Sequence, residues 1–275
     1  MKTWKKRLRS VSWSAWFGML VIAMYVLVAV FADVLAPHGE REIVGSVYEP
    51  WGAGFILGTD NLGRDMFSRL IYGARNTVGI AMLTTLLAFS VGSVTGILSA
   101  TFGGWLDSVL GRVVDVLMAI PQLIFALLLL TIFGASILNM ILIIALLDST
   151  RVYRISRAAA INVVAMDYIE AARLRGEKLP YLIFSEVLPN ITAPLTAEFG
   201  LRFCYVFLLI SSLSFLGLGI QPPTADWGSM VRDSANLISF GEVTPLVPAF
   251  AIALLTVAVN FVADWLLNRT SAARG

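Results

Sequence analysis

Uncharged apolar segments recur along the chain, separated by short charged stretches. The uninterrupted runs cover residues 10–32, 76–106, 116–147, 203–225 and 243–263. Each run reaches or exceeds the roughly 20 apolar residues with which a helix crosses the hydrocarbon core of a bilayer. The pattern therefore predicts a bundle of membrane-spanning helices, an all-α fold.

The run 116–147 decides the number of spans. Its 32 residues would form a helix of about 48 Å, against a hydrocarbon core of about 30 Å. That is too long for one span and slightly short for two, but Gly134, Ala135 and Ser136 offer a tight turn in its middle. We predict helices over residues 110–133 and 137–152, the first kinked at Pro121, which gives six spans in all.

Composition agrees with a membrane protein and excludes several other classes. Of the 275 residues 58% are hydrophobic and 14% are charged, and the mean hydropathy is +0.82. Soluble domains are about 45–50% apolar and about 25% charged, so a water-soluble or disordered chain is excluded. The net charge of +2 gives no reason to expect nucleic acid as a partner. A single cysteine and a single histidine argue against a disulfide and a His-rich metal site.

Basic residues set the predicted orientation, because cytoplasmic loops are enriched in Lys and Arg. With six spans, fourteen of the twenty basic residues lie on the side of both termini and five on the other, with Arg202 within or at the edge of the fifth span. We therefore expect both termini in the cytoplasm. The first run could also belong to a signal peptide, but its length and the absence of a convincing cleavage site favour an uncleaved helix. The cytoplasmic set is Lys2, Lys5, Lys6, Arg7, Arg9, Arg112, Arg151, Arg154, Arg157, Arg173, Arg175, Lys178, Arg269 and Arg274.

The outer segment 58–75 alternates charged and apolar residues before the second span. It suits an interfacial segment whose arginine stems lie along the membrane surface. It equally suits a solvated connector held by exposed Asp–Arg pairs, each worth about 0–1 kcal/mol. Its candidate functional residues are Gly58, Asp60, Gly63, Arg64 and Asp65.

The cytoplasmic stretch 167–176 has the features of a short helix. Asp167 is a suitable N-cap, Glu170 stands three residues later as in a capping box, Arg173 suits the last turn, and Gly176 suits the C′ position. A helix this short is unstable alone in water. Either it rests on its own bundle, or it forms a docking surface for a cytoplasmic partner, with Ala171 and Ala172 providing a face for close approach. A second helix starts at Pro180, and Leu188 with Pro189 ends the segment.

The third distinctive stretch runs over residues 213–230. Its glycines and the pair Pro222–Pro223 predict a helix end followed by an ordered outer loop. Within that loop we expect Trp227 to be an interfacial anchor. Gln221 and Pro222, at the start of the loop, are further candidates for its outer face.

Glu198 and Arg202 stand four residues apart with the acid first, so they share a helix face and can pair. Ionisable residues inside a membrane are functional candidates because they are costly to insert. If the fifth span starts near Phe199, however, both lie at the cytoplasmic interface and Arg202 extends to solvent. The pair is therefore either part of a pathway or interfacial.

Several catalytic and cofactor signatures do not occur in the sequence. There is no Gly-x-x-x-x-Gly-Lys-[Ser/Thr] phosphate loop, no His-Glu-x-x-His, no cysteine cluster and no Gly-x-Ser-x-Gly. We therefore expect no catalytic residues, no metal site and no cofactor bound by this chain.

Three motifs in order resemble a known family. Glu170-Ala-Ala followed by Gly176 and Leu188-Pro189 resembles the EAA loop of binding-protein-dependent ABC importer permeases. The segments 58–65 and 213–230 resemble the second, C-type permease subunit of dipeptide, oligopeptide and nickel transporters. The resemblance covers nearly the whole chain. It implies a type I importer permease fold, with residues 1–75 holding the tail, first helix and periplasmic segment, and residues 76–275 a five-helix core with the coupling loop at about 150–190.

The resemblance also implies partners. Two cytoplasmic ATPase subunits would bind ATP and Mg²⁺ and grip the EAA helix, a second permease would complete the pathway as a heterodimer, and a periplasmic or lipid-anchored binding protein would meet the outer loops. The expected location is the bacterial inner membrane. The substrate remains open among dipeptide, oligopeptide, nickel chelate, opine or another small solute. The main alternative is a stand-alone ion-coupled secondary transporter, which predicts buried ionisable residues and inverted repeats; neither is clear here.

Overall fold

The structure is a computed structural model that describes residues 12–52 and 54–272. Regular secondary structure in this part is helical, with two isolated β-bridges in the loop before residue 66. The basic tail from Lys2 to Arg9, which contributes to the predicted orientation, lies outside the described residues, as does Arg274. The main helices are α1 Trp13–Val30, α2 Met66–Phe102, α3 Gly104–Met118, α4 Gln122–Phe133, α5 Ile137–Val164, α6 Asp167–Leu174, α7 179–215, α8 Trp227–Ser234 and α9 Leu246–Ala272.

Helix α1 lies against α9 at the edge of the bundle. It begins at the N-cap Ser12, whose hydroxyl accepts a hydrogen bond from the backbone of Ala15 at 3.2 Å. Gly18 lets the two backbones approach, because a Cβ there would collide with the Ala258 carbonyl. The Tyr25 hydroxyl donates to the Ala251 carbonyl at 3.1 Å. One apolar helix is thus attached to the core by close backbone contact and one buried hydrogen bond.

Helices α2 and α5 pack more extensively on each other than any other pair of helices in the described residues. Gly92 lies against the Ser149 carbonyl and the side chain of Val152, and Gly96 against the Tyr153 carbonyl, so neither position has room for a larger side chain. Small residues that bring backbones together are a common means of association inside membranes. Helix α6 and the start of α7 pack against this pair.

The third predicted span is broken. Helices α3 and α4 meet at Pro121 with a bend of 88°, so the single kinked helix predicted over residues 110–133 is wrong. The cause is local, since Pro121 has an extended ψ of 123° and serves as the N-cap of α4 instead of continuing the helix. The turn predicted at Gly134–Ser136 is confirmed, with Gly134 at φ +89° and Ser136 capping α5.

Helix α7 corrects a second prediction. Leu188 and Pro189 do not end a cytoplasmic segment, because the helix that starts at Leu179 with Pro180 in its first turn runs on to Phe215. A proline breaks a helix by lacking the N–H that bonds to residue i−4. Here a π-helical turn, Leu182–Val187, has already shifted the bonding register before Pro189.

Length and apolarity identify four helices able to cross a membrane, and a fifth if the bent pair α3–α4 counts as one span. Helix α5 does not meet that criterion because it carries Asp148 and several arginines. It also continues to Val164, well beyond the predicted residue 152. The fold is therefore an all-helical membrane bundle with four to five candidate apolar spans.

Candidate functional site

Helix α6 is the short helix predicted over residues 167–176. Its N-cap is Met166, which offers no side-chain acceptor, so Asp167 is the first helical residue and not the predicted N-cap. As a first-turn acid Asp167 still suits the positive end of the helix dipole. At the other end Gly176 takes the predicted left-handed position at φ +82°. Its N–H bonds to the Arg173 carbonyl at 2.9 Å, and the Glu177 N–H bonds to the Ala172 carbonyl at 3.2 Å, which is a complete Schellman motif.

One face of α6 is attached to the chain's own bundle. Ile169 and Ala172 are fully buried, and Ile169 packs in a cluster with Ile97 and Val187. Arg173 donates to the Thr101 carbonyl at 3.0 Å, at the carboxyl end of α2. Of the two alanines proposed as a contact face, Ala172 is therefore unavailable to a partner.

The opposite face of α6 is open. Asp167, Glu170 and Ala171 are exposed, and Leu174 is 83% exposed. At 100° per residue these four side chains fall within an arc of about 100°. Leu174 was missed in the sequence reasoning, although its spacing of four from Glu170 places it on the same face. An exposed leucine between two acids, with a small residue beside them, forms a compact accessible surface on α6.

The other two residues of the EAA-type motif lie on α7. Leu188 is half-buried against the cluster that holds Ile169, while Pro189 is exposed. Tyr168 of α6 connects to the same helix, since its hydroxyl accepts from the Asn190 amide at 3.2 Å. The motif thus holds α6 against the start of α7.

In the segment 58–75, which is predicted to lie on the outer side, Asp60, Arg64 and Arg69 form a buried cluster. A carboxylate oxygen of Asp60 lies 2.7 Å from Arg64 and 3.2 Å from Arg69. All three side chains are at most 7% exposed, so neither the interfacial nor the solvated interpretation describes these three residues. Arg69 also donates to the Glu40 and Pro223 carbonyls. The cluster joins this segment to the second outer loop.

The remaining residues of this segment shape its backbone. Gly58 and Gly63 have φ of +70° and +75°, and a Cβ at either would collide with a backbone carbonyl, of Glu49 and Gly45 respectively. Asp65 is the N-cap of α2 and accepts from the Ser68 N–H at 2.9 Å. These positions are all buried, which removes them from any surface that a binding protein could touch in this conformation.

Trp227 is also buried, at 1% exposure. Its indole N–H donates to the Leu70 carbonyl at 2.9 Å, and its ring packs edge-to-face on Tyr25 and Phe207. The prediction of an interfacial anchor is therefore wrong, because the outer loop folds this side chain into the bundle. Gln221 and Pro222 are exposed, so they alone of the predicted outer-face residues are accessible.

The aspartate before Trp227 holds the loop in place. Asp226 is fully buried, caps α8 by accepting from the Ser229 N–H at 2.8 Å, and accepts from the Thr77 hydroxyl at 2.9 Å. Burial raises the pKa of Asp226 above its usual value, while these hydrogen bonds act in the opposite direction.

Glu198 and Arg202 form the predicted pair, with Arg202 Nε 2.6 Å from a Glu198 oxygen. A third member was missed, since Asp148 of α5 has an oxygen 3.5 Å from Arg202 Nη1. Arg202 is 7% exposed, and its guanidinium lies 4.5 Å from the centre of the Tyr205 ring. It does not extend to solvent, contrary to what the interfacial interpretation expects of this side chain, while the choice between a pathway pair and an interfacial pair stays a prediction. Asp148 closes an apolar run in the sequence, and only the packing of α5 on α7 shows its partner.

The contacts at these sites position and connect elements of the bundle. Within residues 12–52 and 54–272 no group of three or more His, Cys, Asp or Glu side chains could hold a metal ion. The polar groups described above lie on the open face of α6, in the loop cluster around Asp60 and in the ion-pair triad, and a further charged group lines a cavity between α3 and α5.

Known proteins similar to this chain agree on one class. The family described as "Binding-protein-dependent transport system inner membrane component" matches residues 92–272. The dipeptide transport system permease protein DppC of Alkalihalophilus pseudofirmus is 32% identical over 90% of this chain and 82% of its own length. The di/tripeptide permease DppC of Pseudomonas aeruginosa and the dipeptide permease DppC of Escherichia coli K12 are each 34% identical over 90% of this chain, covering 84% and 85% of their own lengths. The chain therefore belongs to the inner-membrane permease subunits of binding-protein-dependent ABC importers, in the branch of the C-type dipeptide permeases.

Proposed function

We propose that this subunit imports peptides or similar small solutes as one half of a permease heterodimer, powered by two ATPase subunits that grip α6. The open face of α6 carries this proposal: Glu170, Ala171 and the exposed Leu174 lie on one side of a helix whose other side is held by the bundle. A partner can therefore bind without disturbing the fold. Peptide as the substrate class rests on the names of the relatives.

The proposed topology has six spans with both termini in the cytoplasm. Helix α4 has 12 residues and is about 18 Å long, so its crossing is short and its ends must be completed by the loops beside it. Residues 1–75 form the peripheral first helix and outer segment, and residues 76–275 form the core. The basic residues of α5 and of the α6 region then face the cytoplasm, as Lys and Arg do in most membrane proteins.

Coupling follows from how α6 is held. The Arg173 bond to Thr101 and the buried Ile169 connect it to α2, α5 and α7, and its Schellman turn fixes its own C-terminal end. A displacement imposed on the open face would therefore move helices of the bundle. In this scheme ATP and Mg²⁺ stay in the partner ATPases, and the binding protein delivers solute to the side where Gln221 and Pro222 are exposed.

The test replaces Leu174 by aspartate in the complete importer. We expect the ATPase subunits to dissociate during purification and transport in proteoliposomes to fall at least tenfold. The reason is that a charge replaces an apolar side chain that the ATPase subunit buries in the proposed complex. Glu170→Lys should act in the same direction. Leu62→Asp is the matched control, because Leu62 is an exposed leucine of the outer segment. Wild-type ATPase retention and transport in Leu174→Asp would overturn the proposed docking face.

A second measurement separates this function from its alternative. Transport by the purified permease without ATPase subunits, driven by an ion gradient, would contradict the ATP-driven scheme. Dependence on ATP together with a second permease and a binding protein would support it.

A further inference from the structure

Helix α3 runs across the bundle instead of along it. Its axis makes an angle of 88° with α4, so α3 lies close to the membrane plane if α4 crosses the bilayer. Under the topology proposed above, on which this placement rests, α3 follows the cytoplasmic end of α2.

The sides of α3 differ in character. Trp105 is 77% exposed, and Val109, Val113 and Val116 are exposed beside it; at 100° per residue the four fall within an arc of about 80°. The neighbouring face carries Arg112, Ser108 and Asp115, and a third face, with the buried Val114, packs on the bundle. An apolar stripe beside a polar one on a helix lying in the membrane plane is typical of helices at the lipid–water interface.

A cavity of about 400 Å³ opens between the polar face of α3 and helix α5. Its volume falls in the range of about 300–1,000 Å³ that is usual for small-molecule sites. The charged groups around it are Asp107, Arg112, Asp115, Arg154 and Arg157.

The charges around this cavity leave one cation without a counter-ion. Arg157 pairs with Asp107, and Arg154 pairs with Asp115. In the part of the chain that the structure describes, Arg112 has no ion-pair partner and is exposed. Arg154 is itself 52% exposed on its side chain, so its pair leaves donors free for an anion.

We infer that this cavity binds the phosphate headgroup of an anionic phospholipid from the cytoplasmic leaflet. Arg112 and Arg154 supply the charge-assisted hydrogen bonds that a phosphate accepts. The exposed stripe from Trp105 to Val116 lies beside the cavity and contacts the acyl chains of the same leaflet. A lipid fits this arrangement because a soluble anion would use only the polar half of it.

The test uses the complete importer purified in mild detergent and titrated with phosphatidylglycerol or phosphatidylcholine, with bound lipid counted by native mass spectrometry. Each arginine near an anionic membrane surface contributes about 1 kcal/mol, which corresponds to about fivefold in affinity. We therefore expect Arg112→Gln to weaken phosphatidylglycerol retention about fivefold and Arg112→Gln/Arg154→Gln about 25-fold. Retention of phosphatidylcholine should be weak in all forms.

The matched control is Arg41→Gln, which removes an exposed arginine from the loop between α1 and α2, on the proposed outer side, and should leave retention unchanged. If the double variant fails to assemble, Arg112→Gln decides, since its side chain has no ion pair to lose. Equal retention of the two lipids, or equal retention by wild type and Arg112→Gln, would overturn the inference. Displacement of the lipid by millimolar inorganic phosphate would also overturn it, because this result would indicate a free-anion site. A variant that loses its ATPase subunits while it retains the lipid would overturn it as well. Because lipid binding is read without transport, failure here is distinguishable from failure of the proposed coupling.

Discussion

Replacing Arg202 by methionine tests how much the buried triad contributes to the fold. Methionine fills much of the same volume, but it leaves Asp148 and Glu198 as neighbouring carboxylates without their shared cation. Removing one partner of a buried ion pair costs about 3–5 kcal/mol. For a chain of this size that corresponds to a fall in Tm of about 6–20 °C.

The assay can use the chain's single cysteine. Cys204 is buried on α7 two residues after Arg202, so a dye that becomes fluorescent on reacting with a thiol reports the opening of this region during heating in detergent. Arg75→Met is the control. Arg75 pairs with Asp33 at 2.8 Å, but the two side chains are 40% and 70% exposed, and exposed pairs contribute about 0–1 kcal/mol.

A compensating variant tests whether uncompensated charge causes the loss of stability. Asp148→Asn/Glu198→Gln/Arg202→Met removes every charge of the triad, and it should recover most of the lost Tm because no unpaired ion remains. An unchanged Tm in Arg202→Met would show that the triad is not a buried charge network. A triple variant less stable than Arg202→Met would show that uncompensated charge is not the cause of the loss.

Two further predictions concern the outer loop. Trp227→Ala should lower the free energy of unfolding by about 3–5 kcal/mol, whereas Trp227→Phe should lose mainly the hydrogen bond to Leu70, about 1 kcal/mol; equal thermal shifts for the two would contradict this packing. Burial raises the pKa of Asp226 in the folded state, so the folded chain holds a proton that the unfolded chain has released, and stability should fall as pH rises above the usual Asp pKa of about 3.9. Asp226→Asn removes this dependence, and a Tm difference between wild type and Asp226→Asn that is constant from pH 4 to pH 7 would refute it.

The sequence predicts the helical bundle well where a local signal decides the outcome. The turn at Gly134 and the C-terminal cap at Gly176 follow from backbone preferences that hold in any context. Apolar runs likewise identify the four helices that are long and apolar enough to cross a membrane, because no soluble element needs so long an uncharged segment, whereas the two spans predicted from residues 116–147 stay a prediction.

The sequence is less informative where a contact is made by a distant part of the chain. As charged residues in a connecting segment, Asp60 and Arg69 are expected to be exposed. The loop 213–230 covers them instead, and the Pro223 carbonyl accepts a hydrogen bond from Arg69. The partner of Arg202 in α5 lies 54 positions earlier in the sequence, and no spacing rule links the two. Trp227 matches an interfacial anchor by type and position, but the space left by Gly73 admits its ring to the core.

The residues of the docking face show an intermediate case. Glu170 and Ala171 are recognisable from the motif, while assigning Ala172 and Arg173 to the bundle requires knowing which side of α6 meets α2. Leu174 could have been found by helical spacing alone.

The unbroken course of α7 has a mechanical consequence. From Leu179 to Phe215 the helix is about 56 Å long, and Arg202 divides it into an inner arm of about 35 Å and an outer arm of about 20 Å. Both irregular features, the π turn Leu182–Val187 and Pro194, lie in the inner arm, where they make the helix easier to bend. The outer arm is regular and leads into the loop that carries Trp227. If the ATPase subunits displace α6 as proposed above, part of that displacement is taken up as bending before Arg202, and the remainder turns the regular outer arm. We therefore expect residues 182–194 to influence how far the loop that carries Trp227 moves when α6 is displaced.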